Sequence, residues 1–313
     1  MAQPADTFSS YDAIGNREDL ADIIYDISPT ETPFLSAIPK VKASATYHEI
    51  QTDTLETAAA NAVIEGDDAT TDARAATTRL GNYTQISDKV VRTTGTQEAV
   101  DSAGRGSELS YQIMRAGKEL KNDMEYACLQ NGARVAGDDS TARQLAGVNA
   151  WINTNDDFGG TGASPTGDGT DTRTDGTQRA FDEADLQTVL ASCWDAGGNP
   201  DTIFVGSFNK QAMSAFTGNA TRNIDSADKK LVNAIDIYVG DFGELQVVPA
   251  RHMRTRDALV LDTSHWALAE LRSFQEKELA VTGDSMRKQL LCEYTLESRN
   301  EASSGGVYDL TTS

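Results

Sequence analysis

The chain has three imidazoles, His48, His252 and His265, each in a different region of its 313 residues. None has a metal-ligand residue at i+2 to i+4, so neither a zinc set nor histidine acid–base chemistry has a constellation to rest on. Cys128, Cys193 and Cys292 are odd in number, widely separated and free of any CxxC spacing. Each sits in an apolar pattern, which reads as a buried free thiol. No GxSxG, HExxH, P-loop or strand-linked GxGxxG pattern occurs. The run Asp168-Gly-Thr-Asp-Thr-Arg-Thr-Asp-Gly176 echoes a calcium loop. It lacks the one-three-five oxygen spacing and the closing glutamate, and Arg173 stands in its middle. A flexible turn is the better reading, with adventitious divalent binding left open. Asp67-Asp68 and Asp156-Asp157 are paired carboxylates of the kind hydrophilic loops keep solvated. No catalytic residue, cofactor or metal site is expected. The one enzyme reading that remains is a divalent-dependent hydrolase using the Asp168–Asp175 loop.

Composition narrows the classes further. Lysine plus arginine total 27 and aspartate plus glutamate 48, a formal charge of −21. Phosphate recognition needs clustered Lys and Arg, so a nucleic-acid reader is disfavoured, and an anionic membrane surface likewise. No run of about 18 apolar residues could span a bilayer, and the start Met1-Ala-Gln-Pro-Ala-Asp lacks signal-peptide character. The expectation is a protein made and used in a cytoplasm. Only 39% of residues are hydrophobic and 7% aromatic. That is thin for a lone compact enzyme and suits a chain with extended arms whose burial comes partly from neighbours.

The elements that would position any site follow a definite order. Residues 1–45 are polar and acidic, with a helical pattern at Arg17–Tyr25 followed by Asp26-Ile-Ser-Pro-Thr-Glu-Thr-Pro-Phe-Leu-Ser-Ala-Ile-Pro-Lys40. Prolines at 29, 33 and 39 argue against a regular helix or central strand there and for an extended arm clamped on another surface. Thr46–Thr52 and Tyr83–Thr93 read as strands flanking an Ala/Thr/Asp-rich middle with Glu65-Gly66-Asp67-Asp68 as its turn. The whole is a two-stranded excursion that needs another body to rest on. Ser107–Gly132 is the clearest helix, with Ser107 as N-cap, Gly132 as stop and a length of about 38 Å. Asn153–Thr177 is low-complexity and reads as a linker or exposed loop. Beyond it come helices at Glu183–Ala196, stopped by Gly197-Gly198, and at Ser207–Phe216. Strands are expected at Thr202–Gly206, Ile235–Val239, Leu245–Pro249, Ala258–Asp262, His265–Leu271, Gln275–Thr282 and Lys288–Glu297.

This order resembles the major capsid protein of tailed bacteriophages, the Hong Kong 97-type shell fold shared with encapsulins. Locally, Arg17-Glu-Asp-Leu-Ala-Asp-Ile-Ile-Tyr-Asp-Ile-Ser-Pro-Thr-Glu-Thr-Pro-Phe34 is similar to the arm signature of a phage capsid family in which an SP-x-x-TPF run recurs. His48-Glu49, Glu65-Gly66-Asp67 and Asn82-Tyr83-Thr-Gln-Ile86 resemble its extended-loop landmarks. Trp194-Asp-Ala-Gly-Gly-Asn-Pro-Asp201 resembles the start of its central module.

The resemblance implies an α+β fold with an N-terminal arm at 1–45 and an extended β-hairpin loop at 46–95. A peripheral domain with a long spine helix and the Gly/Asp-rich loop would take 96–182. An axial α/β domain would take 183–262, with a return to the peripheral domain at 263–313. It implies a non-enzymatic head protein that self-assembles as pentamers and hexamers into an icosahedral shell around double-stranded DNA, built in the bacterial cytoplasm. The alternatives are an encapsulin-like compartment and another virion structural component. Pro29, Thr32, Pro33 and Phe34 would make inter-subunit contacts through the arm. Glu65, Gly66, Asp67 and Asp68 would do so at the loop tip, against a basic patch next door. Partners would be other copies, separate scaffolding, portal and decoration proteins, and DNA held nonspecifically; a net anionic wall suits that last role. Lys42 and Lys89 bracket a loop without lysine, which counts against a lysine–asparagine cross-link. The arm signature comes early in the chain, which favours a separate scaffold or none over a fused one.

Overall fold

The computed structural model describes residues 31–68, 71, 74–100, 106–216, 224–225, 230–231 and 236–312; the helical pattern at Arg17–Tyr25 and Pro29 lie outside them. In chain order the elements are α1 (Pro33–Ala37), β1 (Lys40–Lys42), β2 (Tyr47–Thr52), β3 (Thr78–Tyr83), β4 (Gln85–Thr94), α2 (Gly95–Ala99), α3 (Glu108–Leu129), β5 (Asp156–Asp157), α4 (Glu183–Asp195), β6 (Thr202–Val205), α5 (Ser207–Ser214), β7 (Ile224–Asp225), β8 (Lys230–Leu231), β9 (Ile237–Gly240), β10 (Gly243–Pro249), β11 (Ala258–Leu261), β12 (Trp266–Glu278), β13 (Ser285–Ser298) and β14 (Gly305–Val307). They build a four-stranded sheet ordered β1-β12-β13-β4, a six-stranded sheet ordered β5-β14-β11-β6-β10-β9, and the pairs β2-β3 and β7-β8.

The six-stranded sheet is dry on both faces at its two central strands. Every residue of β6 and β11 is buried, as near-continuous apolar strands require. Side chains alternate across it. Phe204, Leu259 and Leu261 point into a core shared with α1, α3 and the four-stranded sheet. Ile203, Val205, Ala258 and Val260 point into a second core with Leu186, Val189, Leu190 and Met213 of α4 and α5. Helix α4 ends where Gly197-Gly198 was expected to stop it. Gly197 takes φ +82°, and the bonds Gly198 N–H to Cys193 O and Gly197 N–H to Trp194 O complete a Schellman turn. All three cysteines are buried and unpaired, with burial pushing the Cys193 and Cys292 thiols up to about 12.

Helix α3 starts at its expected cap, the Ser107 side chain accepting from Ser110 N–H at 3.3 Å. It ends at Leu129 rather than running to Gly132, because Gln130 is already extended (φ −83°, ψ 162°). The expected break near residues 271–275 is not a chain reversal. β12 runs through it, absorbing the mismatch as register shifts against β13 between Glu270 and Arg272 and between Arg272 and Gln275. Strand Gly305–Val307, deep in the C-terminal stretch, pairs with β11 of the six-stranded sheet.

The proline-punctuated arm holds a helix after all. Pro33 occupies the first turn of α1, where its missing N–H costs nothing, and the helix stops at Ile38, extended before Pro39. The next two N–H groups, of Phe34 and Leu35, donate to Glu125 Oε1 and Oε2 of α3 at 2.9 and 2.8 Å. Burial raises the Glu125 carboxyl against the pull of those two bonds. Phe34 is fully buried and meets Phe204 edge-on at 5.7 Å. Its ring is therefore engaged inside its own subunit.

The Asn153–Thr177 segment is likewise no linker. Arg173 is 3% exposed; it pairs with Asp156 at 2.7 Å, donates to Ile152 O at 2.7 Å and lies 3.5 Å over the Tyr308 ring. Arg254 bridges Asp175 and Asp257, Arg256 holds Asp309, and Arg179 holds Asp157 and Asp185. The Asp156-Asp157 pair is thus bound to arginines, not solvated. Gly169 has φ +79°, and a Cβ there would stand 3.0 Å from the Trp151 ring, so the glycines serve a fixed path rather than mobility.

Two outcomes follow. Arg173→Ala, which strands Asp156, is expected to cost about 3–5 kcal/mol in urea unfolding of the subunit; a cost near zero would contradict the cluster's role. Burial pushes the Asp257 carboxyl up to about 7 despite Arg254. The folded state keeps that proton where the unfolded chain has lost it, so stability falls as pH rises from the ordinary carboxylate range to about 7. Asp257→Asn should flatten the fall in urea midpoint between about pH 5 and about pH 8, and an unchanged fall would count against it.

Candidate inter-subunit surfaces

The 47–83 hairpin begins on a fixed footing. β2 and β3 pair antiparallel from Tyr47↔Tyr83 to Thr52↔Thr78, so β2 does not pair with the body of the strand expected at Tyr83–Thr93. That strand, β4, is instead an edge of the four-stranded sheet, paired with β13 from Gln85↔Tyr294 to Thr94↔Ser285. The base of the hairpin is tied to the body by polar side chains. Asn82 is 2% exposed; it donates to Leu296 O at 2.9 Å and Ala146 O at 3.2 Å, and accepts from Ala146 N–H at 2.9 Å. Arg134 donates to Tyr47 Oη at 2.8 Å and to Gly81 O, with its guanidinium over the Tyr47 ring. His48 Nε2 meets Glu297 at 2.7 Å, and Arg299 holds the other oxygen of that carboxylate.

Beyond Thr52 the support ends. Every described residue from 53 to 79 is exposed. Leu55, Val63 and Ile64 stand 90%, 80% and 79% open to solvent, an unfavourable state for large aliphatic side chains that another surface would relieve. The Glu65–Asp68 turn forms as expected: Asp67 N–H donates to Ile64 O at 3.1 Å, and Gly66 supplies φ +84°. Its carboxylates face solvent, directly after Val63 and Ile64 in the chain. Leu55, Val63 and Ile64 are the residues that motif reading passed over. Their signal was present, large aliphatics set without period in an Ala/Thr/Asp run.

Of the arm residues expected at contacts, Thr32 and Pro33 are partly exposed. On the body, a groove of about 610 Å³ opens between β4 and α3. Val91 and Ala116 line it, with Lys89, Arg92 and Arg115. Lys89 is paired with Asp123 at 2.7 Å and Arg115 with Glu119 at 3.0 Å.

The Asp-rich loop offers little to a cation. Burial would raise the Asp168 carboxyl, but hydrogen bonds from Thr170 and Thr166 outweigh it and hold the group below the usual carboxylate range. Asp171 accepts from Thr166, and Asp175 is held by Arg254. Among the described residues no group of three or more His, Cys, Asp or Glu side chains could hold a metal ion, and no described helix is long and apolar enough to cross a membrane.

Residues 5–311 match the SU10 major capsid protein family. The chain belongs to that family. The major capsid protein of Escherichia phage Phieco32 is 26% identical to it over 345 residues, covering 98% of this chain and 98% of that protein. The Cyanophage A-1(L) capsid asymmetric unit shares the fold at a TM-score of 0.73 and 12% identity, over 95% of this chain and 97% of that one. A native GTA particle capsid computed with C5 symmetry gives a TM-score of 0.63 at 12% identity, over 96% and 98%. This capsid protein accordingly has the Hong Kong 97-type α+β shell fold, and its place is the shell of a phage particle.

The polar footing of the hairpin can be tested in the capsid protein directly. Arg134→Ala removes the Tyr47 and Gly81 bonds and is expected to speed amide exchange across residues 47–52 by about tenfold or more, with exchange in β6 and β11 unchanged. Unaltered exchange at 47–52 would mean the base is held by other means.

Proposed function

We propose that this capsid protein closes an icosahedral shell of pentamers and hexamers around double-stranded DNA, each subunit laying its hairpin across a neighbouring copy. The observation that carries the reading is the exposure of Leu55, Val63 and Ile64 on a limb with no support of its own. Their burial on assembly would contribute several kcal/mol per subunit at about 25 cal/mol per Å². Repeated over many copies, modest contacts suffice to hold a closed shell. The Glu65–Asp68 turn lies on the neighbour's basic side chains, and the groove between β4 and α3 with Lys89, Arg92 and Arg115 is the receiving surface. With Phe34 engaged in its own core, the arm's contribution comes from Pro29, Thr32 and Pro33.

In this reading residues 1–45 are the arm and 46–95 the extended loop. Residues 96–182 and 263–313 form the peripheral domain around α3, and 183–262 the axial domain. Strand β14 carries the chain end back to the axial sheet. The protein has no enzymatic activity. It is assembled in the host cytoplasm and works with separate scaffolding, portal and decoration proteins, and its net anionic charge favours a wall that does not immobilise packaged DNA.

The test is a triple replacement, Leu55→Ser, Val63→Ser and Ile64→Ser. Because these side chains are exposed in the free subunit, its unfolding midpoint should stay within about 0.5 kcal/mol of the parent, while closed shells seen by negative-stain microscopy should be lost. Normal shells from the triple variant would overturn the hairpin's role. Replacing Glu65, Asp67 and Asp68 by Asn should weaken assembly at low salt and matter less at high salt, where screening already removes the attraction.

A further inference from the structure

Strands β4 and β13 are registered so that Arg92 stands directly opposite Arg287. Leu279 N–H donates to Arg287 O at 3.0 Å, so the main-chain groups of Arg287 point toward β12. Its pairing with Arg92 is therefore of the non-hydrogen-bonded kind, with Cα atoms about 4.5 Å apart and side chains at their closest. Lys89 of β4 meets Asp123 of α3, so by alternation Arg92 and Arg287 rise from the sheet face turned away from α3. Like charges placed directly opposite each other repel. Most described arginines of this acidic chain are matched by a carboxylate, Arg143 and Arg272 on Glu293 among them. Among the described residues neither Arg92 nor Arg287 is. The carboxylates nearest in sequence on the two strands are turned elsewhere: Asp88 accepts from Gln289, and Asp284 lies against Gly95. Arg92 is held in place by neutral acceptors, Nε donating to Ser285 Oγ at 3.0 Å and one Nη to Thr282 O at 3.4 Å. Arg287 Nε is enclosed by protein without a hydrogen-bond partner. Exposed Lys277 of β12, opposite Gln289, adds a third cation on the same face.

We propose that Arg92 and Arg287 form an oxyanion site whose ligand is a phosphate group. A guanidinium presents its donors as a planar fork. A carboxylate, itself planar, is saturated by one such fork, whereas a tetrahedral phosphate carries oxygens on more than one side and serves two forks at once. Bound there, it turns the repulsion between the two arginines into two attractions, with Lys277 close enough on the next strand to add its charge. The pair lies on the far side of the sheet from α3, and the site does not depend on whether the hairpin crosses to a neighbouring copy.

Calorimetric titration of the full-length chain with inorganic phosphate at low salt tests this. Saturable binding is expected, weakened about tenfold or more in Arg92→Gln and in Arg287→Gln. Arg287→Lys, which keeps the charge but not the fork, should fall between parent and Arg287→Gln. Lys42→Gln removes an exposed charge from a different strand and should leave the affinity unchanged. Equal weakening by Lys42→Gln and Arg287→Gln would show an effect of net charge alone and overturn the proposal, as would absence of saturable binding to the parent. Competition separates the sources of the phosphate. A short DNA duplex that displaces phosphate from the parent assigns the site to backbone phosphates, and failure to displace it assigns the site to the free ion. A polyglutamate peptide that binds the parent more tightly than phosphate does would give the arginine pair to carboxylates and overturn the assignment. Circular dichroism of each variant separates loss of binding from loss of fold.

Discussion

The structure depends on one constraint, a six-stranded sheet whose central strands are dry on both faces. Strands such as Ile203-Phe204-Val205 and Ala258-Leu259-Val260 send alternate side chains into two separate cores. Each face therefore needs its own covering layer. On one side that layer is α4 and α5. On the other it is α3, the four-stranded sheet and the short helix of the arm, with Phe34 packed on Phe204. A chain that is only 39% hydrophobic and covers two cores has little apolar material left for a projecting limb. Of what remains, Leu55, Val63 and Ile64 are open to water. Compact body and dependent limb are two consequences of the same distribution.

The seam beside this sheet is ionic. Arg173, Arg179, Arg254 and Arg256 meet Asp156, Asp157, Asp175, Asp185, Asp257 and Asp309, with more carboxylates than guanidiniums. Burial pushes one of these acids, Asp257, up to about 7 against the pull of Arg254. Buried pairs of this kind add little net stability over apolar packing. Their geometric demands do fix where the loop from 153 to 177 and the chain end at Tyr308–Leu310 lie, and hence how β5 and β14 extend the sheet.

Much of this was legible in the sequence wherever the determinant was local. Ser107 as a cap, Gly197-Gly198 as a stop, the turn at Glu65–Asp68 and most of the apolar strands need only neighbouring residues to declare themselves. The misreadings share the opposite property. Helix α1 depends on Glu125, some ninety residues away, and proline spacing alone says nothing of such an acceptor. The 153–177 segment looks like a linker because its composition is Gly, Thr and Asp, yet its order comes from Arg173 on Tyr308 and Arg254 on Asp175. The partner of β2 was misassigned because the 78–83 strand, Thr-Arg-Leu-Gly-Asn-Tyr, is weak in β-formers. It is specified instead by Asn82 and Arg134 at the hairpin base. The exposure of Leu55, Val63 and Ile64 was not legible, since exposure of an aliphatic residue is a property of the fold and not of the letter.

The account's central claim is that the exposed limb of the hairpin is completed by another copy. Cryo-electron microscopy of particles assembled from the full-length chain tests it most directly. The account predicts closed shells in which residues 53–77 of each subunit lie on a neighbour, with Leu55, Val63 and Ile64 buried there. Shells in which that segment folds back on its own subunit, or stays in solvent while the shell holds together, would contradict it.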